Sequence, residues 1–173
     1  MDGLYIGLMS GTSLDAVDAA LVSIKNEHIE LLNTHTHSFP ADLKDELRRL
    51  CQPGDNEIER MGVADRALGR LLAEAVQALL AKSNTRADDI LAIGSHGQTI
   101  RHRPATANRH PDHAFTLQIG DPNTIAELTD ITTVGDCRRR DLAAGGQAAP
   151  LAPALHAAIF QGDEHRAVVN IGG

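Results

Sequence analysis

Three polar segments of the chain carry residue types that could bind phosphate or a polyhydroxylated ligand. The first is MSGTSLDAVD, residues 9–18, which places Gly11, Thr12 and Ser13 between two apolar stretches. Glycine permits a close backbone approach, and backbone N–H groups and hydroxyls can donate hydrogen bonds to phosphate oxygens. The segment therefore predicts a loop that cradles phosphate groups between two strands.

The same loop fits less specific interpretations. It lacks the Gly-Lys-Ser/Thr ending of a Walker A loop and is followed by a strand pattern, so an ordinary polar hairpin would give the same signal. Asp15 and Asp18 could help to hold Mg²⁺ through water, although carboxylates are also common in surface turns. His35 and His37 share one face of a predicted strand without a third ligand at a usual spacing, so no metal-ligand set is predicted.

The second segment is GSHGQTIRHRP, residues 94–104. It places His96 and Gln98 beside glycines at the end of a predicted strand, a setting that suits hydrogen bonds to a sugar. A histidine at a strand end can also be a structural hydrogen-bonding group. The segment therefore predicts a sugar contact only in combination with the other two.

The third segment, residues 117–153, combines charge with flexible backbone. It places Asp136, three consecutive arginines at 138–140 and Asp141 before the glycine pair at 145–146. Guanidinium groups bind carboxylates and phosphates through paired hydrogen bonds, which favours an anion site. A run of arginines can equally coat a solvated face, so both interpretations stay open.

The apolar pattern predicts a mixed α/β order that would position these segments. Strands are predicted at residues 4–9, 16–24, 29–38, 90–96, 115–120, 131–136 and 166–173. Helices are predicted at residues 40–50, 56–82, 122–129 and 150–161. The first three strands indicate an antiparallel meander. The later strands end at polar residues or glycine, as expected at the carboxyl ends of strands, where α/β sheets usually place their chemistry.

Composition narrows the function classes. The 173 residues include 42% hydrophobic and 23% charged residues, which favours a folded core, and the net charge of −7 argues against nucleic acid as a partner. Cys51 and Cys137 fit no metal spacing, which indicates reduced thiols. We expect a soluble cytoplasmic protein because no signal peptide or sufficiently long apolar segment is apparent.

Taken together, the motifs resemble a known family. The order GLMSGTSLDAVD, IGSHGQTIRH, LQIGDPNTIAELT, VGDCRRRDLAAGGQAAPLAPALH and NIGG is similar to that of the anhydro-N-acetylmuramic acid kinases of bacterial cell-wall recycling, over nearly the whole chain. The resemblance implies two ribonuclease-H-like lobes of the actin/hexokinase/Hsp70 superfold closing on ATP and Mg²⁺. It also implies hydrolysis of the 1,6-anhydro ring of 1,6-anhydro-N-acetylmuramic acid and phosphorylation of O6, in an enzyme that forms a homodimer.

The resemblance assigns roles to particular residues. The first ATP-phosphate loop would consist of Gly11, Thr12, Ser13, Leu14, Asp15, Ala16, Val17 and Asp18. The sugar pocket would be lined or supported by His96, Gln98, Gly120, Arg138 and Asp141. An arginine suits the lactyl carboxylate of the substrate.

Two features depart from the family pattern. Ala16 and Ala148 stand where the family usually has glycine, which would alter close backbone approach there. The family's catalytic aspartate is expected beyond Gly173, so we expect a truncated chain: an N-terminal lobe with the start of a second lobe, inactive alone. Alternatives are a kinase of the same superfold for another sugar, a free-standing ligand-binding lobe, or an α/β domain whose polar loops are only turns.

Overall fold

The computed structural model describes residues 2–26, 28–106, 110–160, 162, 165–167 and 169. The strands are Gly3–Ser10 (β1), Ala16–Lys25 (β2), His28–Ser38 (β3), Ile90–Ser95 (β4), Gln98–Arg103 (β5), Phe115–Ile119 (β6) and Thr133–Val134 (β7). The helices are Ala41–Leu50 (α1), Glu57–Ser83 (α2), Pro122–Thr129 (α3), Cys137–Ala143 (α4) and Ala152–Phe160 (α5). The strand predicted at 166–173 falls mainly outside the described residues.

Five strands form one mixed sheet in the order β3-β2-β1-β4-β7. The β1, β2 and β3 strands pair antiparallel, which confirms the predicted meander, whereas β4 runs parallel to β1 and β7 runs parallel to β4. A mixed sheet with flanking helices confirms the predicted α/β class. It agrees with a ribonuclease-H-like lobe.

The hydrophobic core lies between this sheet and the helices α1 and α2. Along β1, Ile6 and Leu8 are buried and alternate with the exposed Gly7 and Met9, as expected when only one face of a sheet is covered. The long helix α2 presents its apolar stripe to the same core. Each fully buried leucine or isoleucine contributes about 1.5–3 kcal/mol to stability. The apolar side chains between the sheet and α2 therefore hold these two elements together.

The segment after β4 differs from the sequence prediction. The polar stretch QTIRHR forms β5, which pairs antiparallel with β6 in a separate two-stranded sheet. The predicted strand at 131–136 shrinks to the two residues of β7, and the arginine run forms the short helix α4. Neither β5 nor α4 was predicted, because neither has the apolar period of a strand or helix.

Candidate functional site

The first polar segment forms the turn of the β1–β2 hairpin. The backbone N–H of Leu14 donates to the carbonyl of Gly11 at 3.1 Å, which closes the turn. Leu14 has φ +56° and is only 2% exposed, so its side chain anchors the loop in the core. Thr12 and Ser13 are exposed at the tip, where their hydroxyls are available to a ligand.

The space beside the loop backbone is open, and charged side chains lie around it. A methyl group placed on Gly11 would meet only the Ser13 Oγ, at 3.5 Å, so the space beside this backbone is open. The Asp15 side chain is 81% exposed and lies 4.0 Å from the Nζ of Lys44, a cation of α1 that sequence reasoning missed. The Asp18 Oδ1 accepts a hydrogen bond from the Thr36 Oγ1 at 3.0 Å, which orients an exposed carboxylate.

Two further residues of the predicted loop, Ala16 and Val17, have no polar side chain to offer a ligand. Val17 is fully buried in the core, and Ala16 begins β2 with an extended strand conformation. The alanine at position 16, where the family usually has glycine, therefore sits in a backbone conformation that any residue can adopt.

His96 follows β4 and is held on three sides. Its backbone N–H donates to the Leu8 carbonyl at 3.0 Å, its Nδ1 lies 2.8 Å from the Gly97 carbonyl, and its Nε2 lies 2.7 Å from the Arg138 Nε. A carbonyl needs a donor and Arg138 Nε–H needs an acceptor, so the neutral tautomer protonated at Nδ1 satisfies both. Burial chiefly lowers the pKa of His96, with the Arg138 charge adding to it and the Gly97 hydrogen bond opposing it.

Arg138 is positioned by the turn that follows α4. Its Nη1 donates to the Ala148 carbonyl at 2.6 Å, and the Ala148 N–H donates to the Asp141 Oδ2 at 2.7 Å. Ala148 is fully buried with φ +62°, a conformation that glycine adopts freely, so its departure from the family pattern falls where glycine is favoured. A chain of contacts thus runs from Asp141 through Ala148 and Arg138 to His96.

Gln98 lies beneath the site rather than in it. Its side chain is 1% exposed, its Oε1 accepts a hydrogen bond from the Ser10 Oγ, and its Nε2 donates to the Thr99 carbonyl at 3.3 Å. These contacts hold the end of β1 against β5. In this structure Gln98 is therefore placed to support its neighbours.

A cavity of about 300 Å³, here named the Ser95 cavity, lies where β4 and β6 end. Gly97 and Gly120 line it with φ +66° and +117°, respectively. The Gly120 N–H donates to the Asp65 Oδ1 of α2 at 2.6 Å, which fixes the turn after β6. Gly120 thus lines a cavity, and its role in a sugar pocket stays a prediction.

Ser95 and Gln118, which both line the Ser95 cavity, each have a buried side-chain oxygen without a hydrogen-bond partner among the described residues, Ser95 Oγ and Gln118 Oε1. Buried polar atoms are normally paired, so each needs an explanation. Asp136 and Arg139 also line the cavity and bind each other, with Nε–Oδ1 and Nη2–Oδ2 distances of 2.7 and 2.6 Å. This ion pair raises the pKa of Arg139.

A larger cavity of about 720 Å³, here named the Asp18 cavity, brings the three polar segments together. Asp18, His96 and Arg138 line it, and Leu151 and Leu155 add an apolar wall from the α5 side. It adjoins the Ser95 cavity, because several residues line both: Ser95, His96, Gln118 and Asp136.

Sequence reasoning missed several residues of this region. Asp65 and Lys44 lie on helices, where a polar residue usually marks the solvent face. Ser95 and Gln118 lie in strands, and only their position near the carboxyl ends could have singled them out.

Among the described residues, no three His, Cys, Asp or Glu side chains lie together so that they could hold a metal ion. No helix in the described part of the chain has both the length and the apolar composition needed to cross a membrane.

Comparison with known proteins gives one consistent result. A family model described as anhydro-N-acetylmuramic acid kinase matches residues 3–173. Curated proteins with that same name from Shewanella loihica and Shewanella frigidimarina are 54% and 53% identical over 170 residues, which is 98% of this chain. A protein of that name from Shewanella amazonensis is 52% identical over 171 residues. The chain spans 45% of the length of these relatives.

Proposed function

Because the chain belongs to the anhydro-N-acetylmuramic acid kinase family, we propose that the protein acts on 1,6-anhydro-N-acetylmuramic acid in cell-wall recycling. It uses ATP to phosphorylate O6 while water opens the 1,6-anhydro ring, giving N-acetylmuramic acid 6-phosphate. The observation that supports the proposal is the Asp18 cavity, which is lined by Asp18 of β2, just after the proposed phosphate loop, and by His96 and Arg138.

The β1–β2 turn would hold the nucleotide. Thr12 and Ser13 offer hydroxyls to phosphate oxygens, and the open space beside Gly11 admits a phosphate group. Asp15 and Asp18 would hold Mg²⁺ through water, and Lys44 lies close enough to the loop to offset phosphate charge. Bound ATP with Mg²⁺ supplies the transferable phosphoryl group and neutralises charge that develops during transfer.

The sugar would lie against the residues after β4 and β6. Arg138 uses its Nε and Nη1 on His96 and Ala148, which leaves its Nη2 without a partner among the described residues. That N–H group suits the lactyl carboxylate of the substrate. Gly120 and His96 would line the cavity that holds the sugar. Gln98 and Asp141 would hold the residues of this wall in place through their hydrogen bonds.

These residues bind and orient the substrates. Phosphoryl transfer depends on positioning and on charge neutralisation, and the loop and Arg138 provide both. Opening the ring with water needs a general base, which we expect beyond Gly173 by analogy with the family. We therefore assign no catalytic residue within these 173 residues.

The proposal extends to where the protein works and how it associates. A cytoplasmic enzyme that forms a homodimer fits the family, and Cys51 and Cys137 are both free thiols, as expected in a reducing compartment. Light scattering of the purified protein would test the dimer.

Disrupting the gene in its source organism tests the function directly. We expect 1,6-anhydro-N-acetylmuramic acid to accumulate and N-acetylmuramic acid 6-phosphate to disappear, as measured by mass spectrometry of cell extracts. Restoring the intact gene should reverse both changes, whereas the Gly11→Val variant, with a branched side chain at the phosphate loop, should not. Unchanged levels of both sugars would refute the proposal, and accumulation of a different sugar would favour a same-superfold kinase of other specificity.

A further inference from the structure

We propose that the outer edge of β3 is a pairing surface for a second copy of this chain, and that Lys82 and Asn33 keep this edge closed. In the described part of the chain, β3 is the last strand of the five-stranded sheet and pairs only with β2. Its outer side therefore presents backbone N–H and C=O groups, to which another strand can add. The inference goes beyond the proposed function and is independent of it. A homodimer of the intact protein would use a different surface.

β3 contains one regular segment that is suited to pairing with a copy of itself. The register to β2 shifts between Leu21 and Val22, so β3 is bulged near Leu32 and regular from residue 33 to residue 38. Residues 33–38 contain no Lys, Arg, Asp, Glu or Pro, the residues with which natural edge strands resist pairing. Two copies of this neutral segment can lie antiparallel about a twofold axis without bringing like charges together.

Thr34 lies in this segment and has both of its backbone groups occupied by side chains. Its carbonyl accepts a hydrogen bond from the Lys82 Nζ of α2 at 2.8 Å, and its N–H donates to the Asn33 Oδ1 at 2.9 Å. In an antiparallel ladder the N–H and C=O of one residue point to the same side, and successive residues alternate between the two sides. These contacts therefore identify Thr34 as an outward-facing residue whose two groups are no longer open to another strand.

Closing Thr34 affects most of the hydrogen bonds that such a pair would form. With the twofold axis at Thr36, the outward-facing residues are 34, 36 and 38, and Thr34 of each copy lies opposite Ser38 of the other. Thr34 thus takes part in two of the three residue pairs, and an incoming strand must first displace a charged amine and an amide. The bulge near Leu32 bends the strand and prevents the ladder from continuing past it.

Lys82→Met and Asn33→Val together open this edge. The first removes the amine and keeps a long side chain on α2, and the second removes the amide oxygen and adds a residue that favours strands. In analytical ultracentrifugation of the chain, the double variant should have a dimer dissociation constant at least about tenfold below that of the wild type, because two hydrogen bonds no longer oppose pairing. The matched control is Lys25→Met at the end of β2, which removes the same charge and should associate as the wild type does.

Backbone hydrogen exchange identifies the surface that pairs. The Thr36 N–H faces outward by the same alternation, so it should exchange more slowly in the associated double variant than in the wild type at the same concentration. Each single variant opens one group and should give an intermediate dissociation constant. If the double variant loses its strand signal in circular dichroism, Lys82→Met alone is tested by the same two measurements, because it changes only an exposed side chain.

Three results would overturn the proposal. Association of the opened variant no stronger than that of the wild type would show that these contacts do not close the edge. Stronger association without slower exchange at Thr36 would show that another surface pairs, and equal association of Lys25→Met would assign the effect to net charge. A wild-type chain that already protects the Thr36 N–H by self-association would contradict closure by Lys82 and Asn33.

Discussion

Replacing Gly97 by alanine should destabilise the protein strongly, although the change adds one methyl group. Gly97 adopts φ +66°, where an L-residue costs about 1 kcal/mol or more, partly offset by the reduced freedom of alanine in the unfolded chain. The new Cβ would stand 2.3 Å from the Ile119 carbonyl oxygen and 3.2 Å from its carbon, whereas real Cβ atoms stay beyond 3.0 Å. The backbone of β6 would have to move.

The cost follows from that movement. Ile119 pairs with Gln98 at one end of the β5–β6 ladder, so separating Gly97 from Ile119 disturbs this pairing and the Ser95 cavity wall. Overpacking of a tight site costs about 1–3 kcal/mol, which with the backbone term gives roughly 2–4 kcal/mol. This is a large part of the 5–15 kcal/mol that typically stabilises a domain.

Urea unfolding followed by far-ultraviolet circular dichroism measures the effect, since the chain has no tryptophan and one tyrosine. The matched control is Gly62→Ala in α2, because no neighbouring atom lies within 4 Å of the added methyl. The same chemical change should there raise stability by about 0.5–1 kcal/mol, the helix preference of alanine over glycine. A Gly97→Ala cost below about 1 kcal/mol would refute the reasoning about this turn.

Two further predictions concern the His96–Arg138 contact. Arg138→Met removes the hydrogen-bond donors to the His96 Nε2 and to the buried Ala148 carbonyl, so it should lower the free energy of unfolding by about 2–4 kcal/mol, measured in urea. Arg138→Lys can donate to only one of these two acceptors and should lower it less. Equal losses for both variants would contradict this account of Arg138. Because burial lowers the folded-state pKa of His96 below its ordinary 6.5, the unfolded chain binds more protons as pH falls through that value, and stability should decrease. His102, whose pKa burial also lowers, acts in the same direction. Urea midpoints at about pH 5.5 and 7.5 should therefore differ more for wild type than for His96→Gln, and identical differences would exclude His96 as a source.

The antiparallel meander of the first three strands and the long helix were predictable because their patterns are local. The apolar run of residues 4–9 indicates a strand, and the apolar period of α2 indicates the helix face that meets the core. The polar turn at residues 11–15 was predictable for the same reason, since it interrupts two strongly apolar strands.

The inner wall of the site was less predictable because it depends on contacts between distant residues. In β5, the buried Gln98 accepts a hydrogen bond from Ser10, which lies 88 residues earlier, so no local pattern predicts this pairing. The unpaired oxygens of Ser95 and Gln118 likewise become informative only once folding shows what surrounds them. Asp65 resembles any polar residue on an amphipathic helix until the Gly120 N–H is found bound to it.

The central claim is that one chain carries a phosphate loop and a separate sugar-binding wall. Its most direct test is a ¹⁵N–¹H NMR titration of the chain with Mg–ATP and, separately, with 1,6-anhydro-N-acetylmuramic acid. We predict that Mg–ATP shifts the amides of residues 11–13, whereas the sugar shifts those of residues 95–97 and 118–120. Absence of shifts with both ligands, or shifts confined to other parts of the chain, would contradict the account.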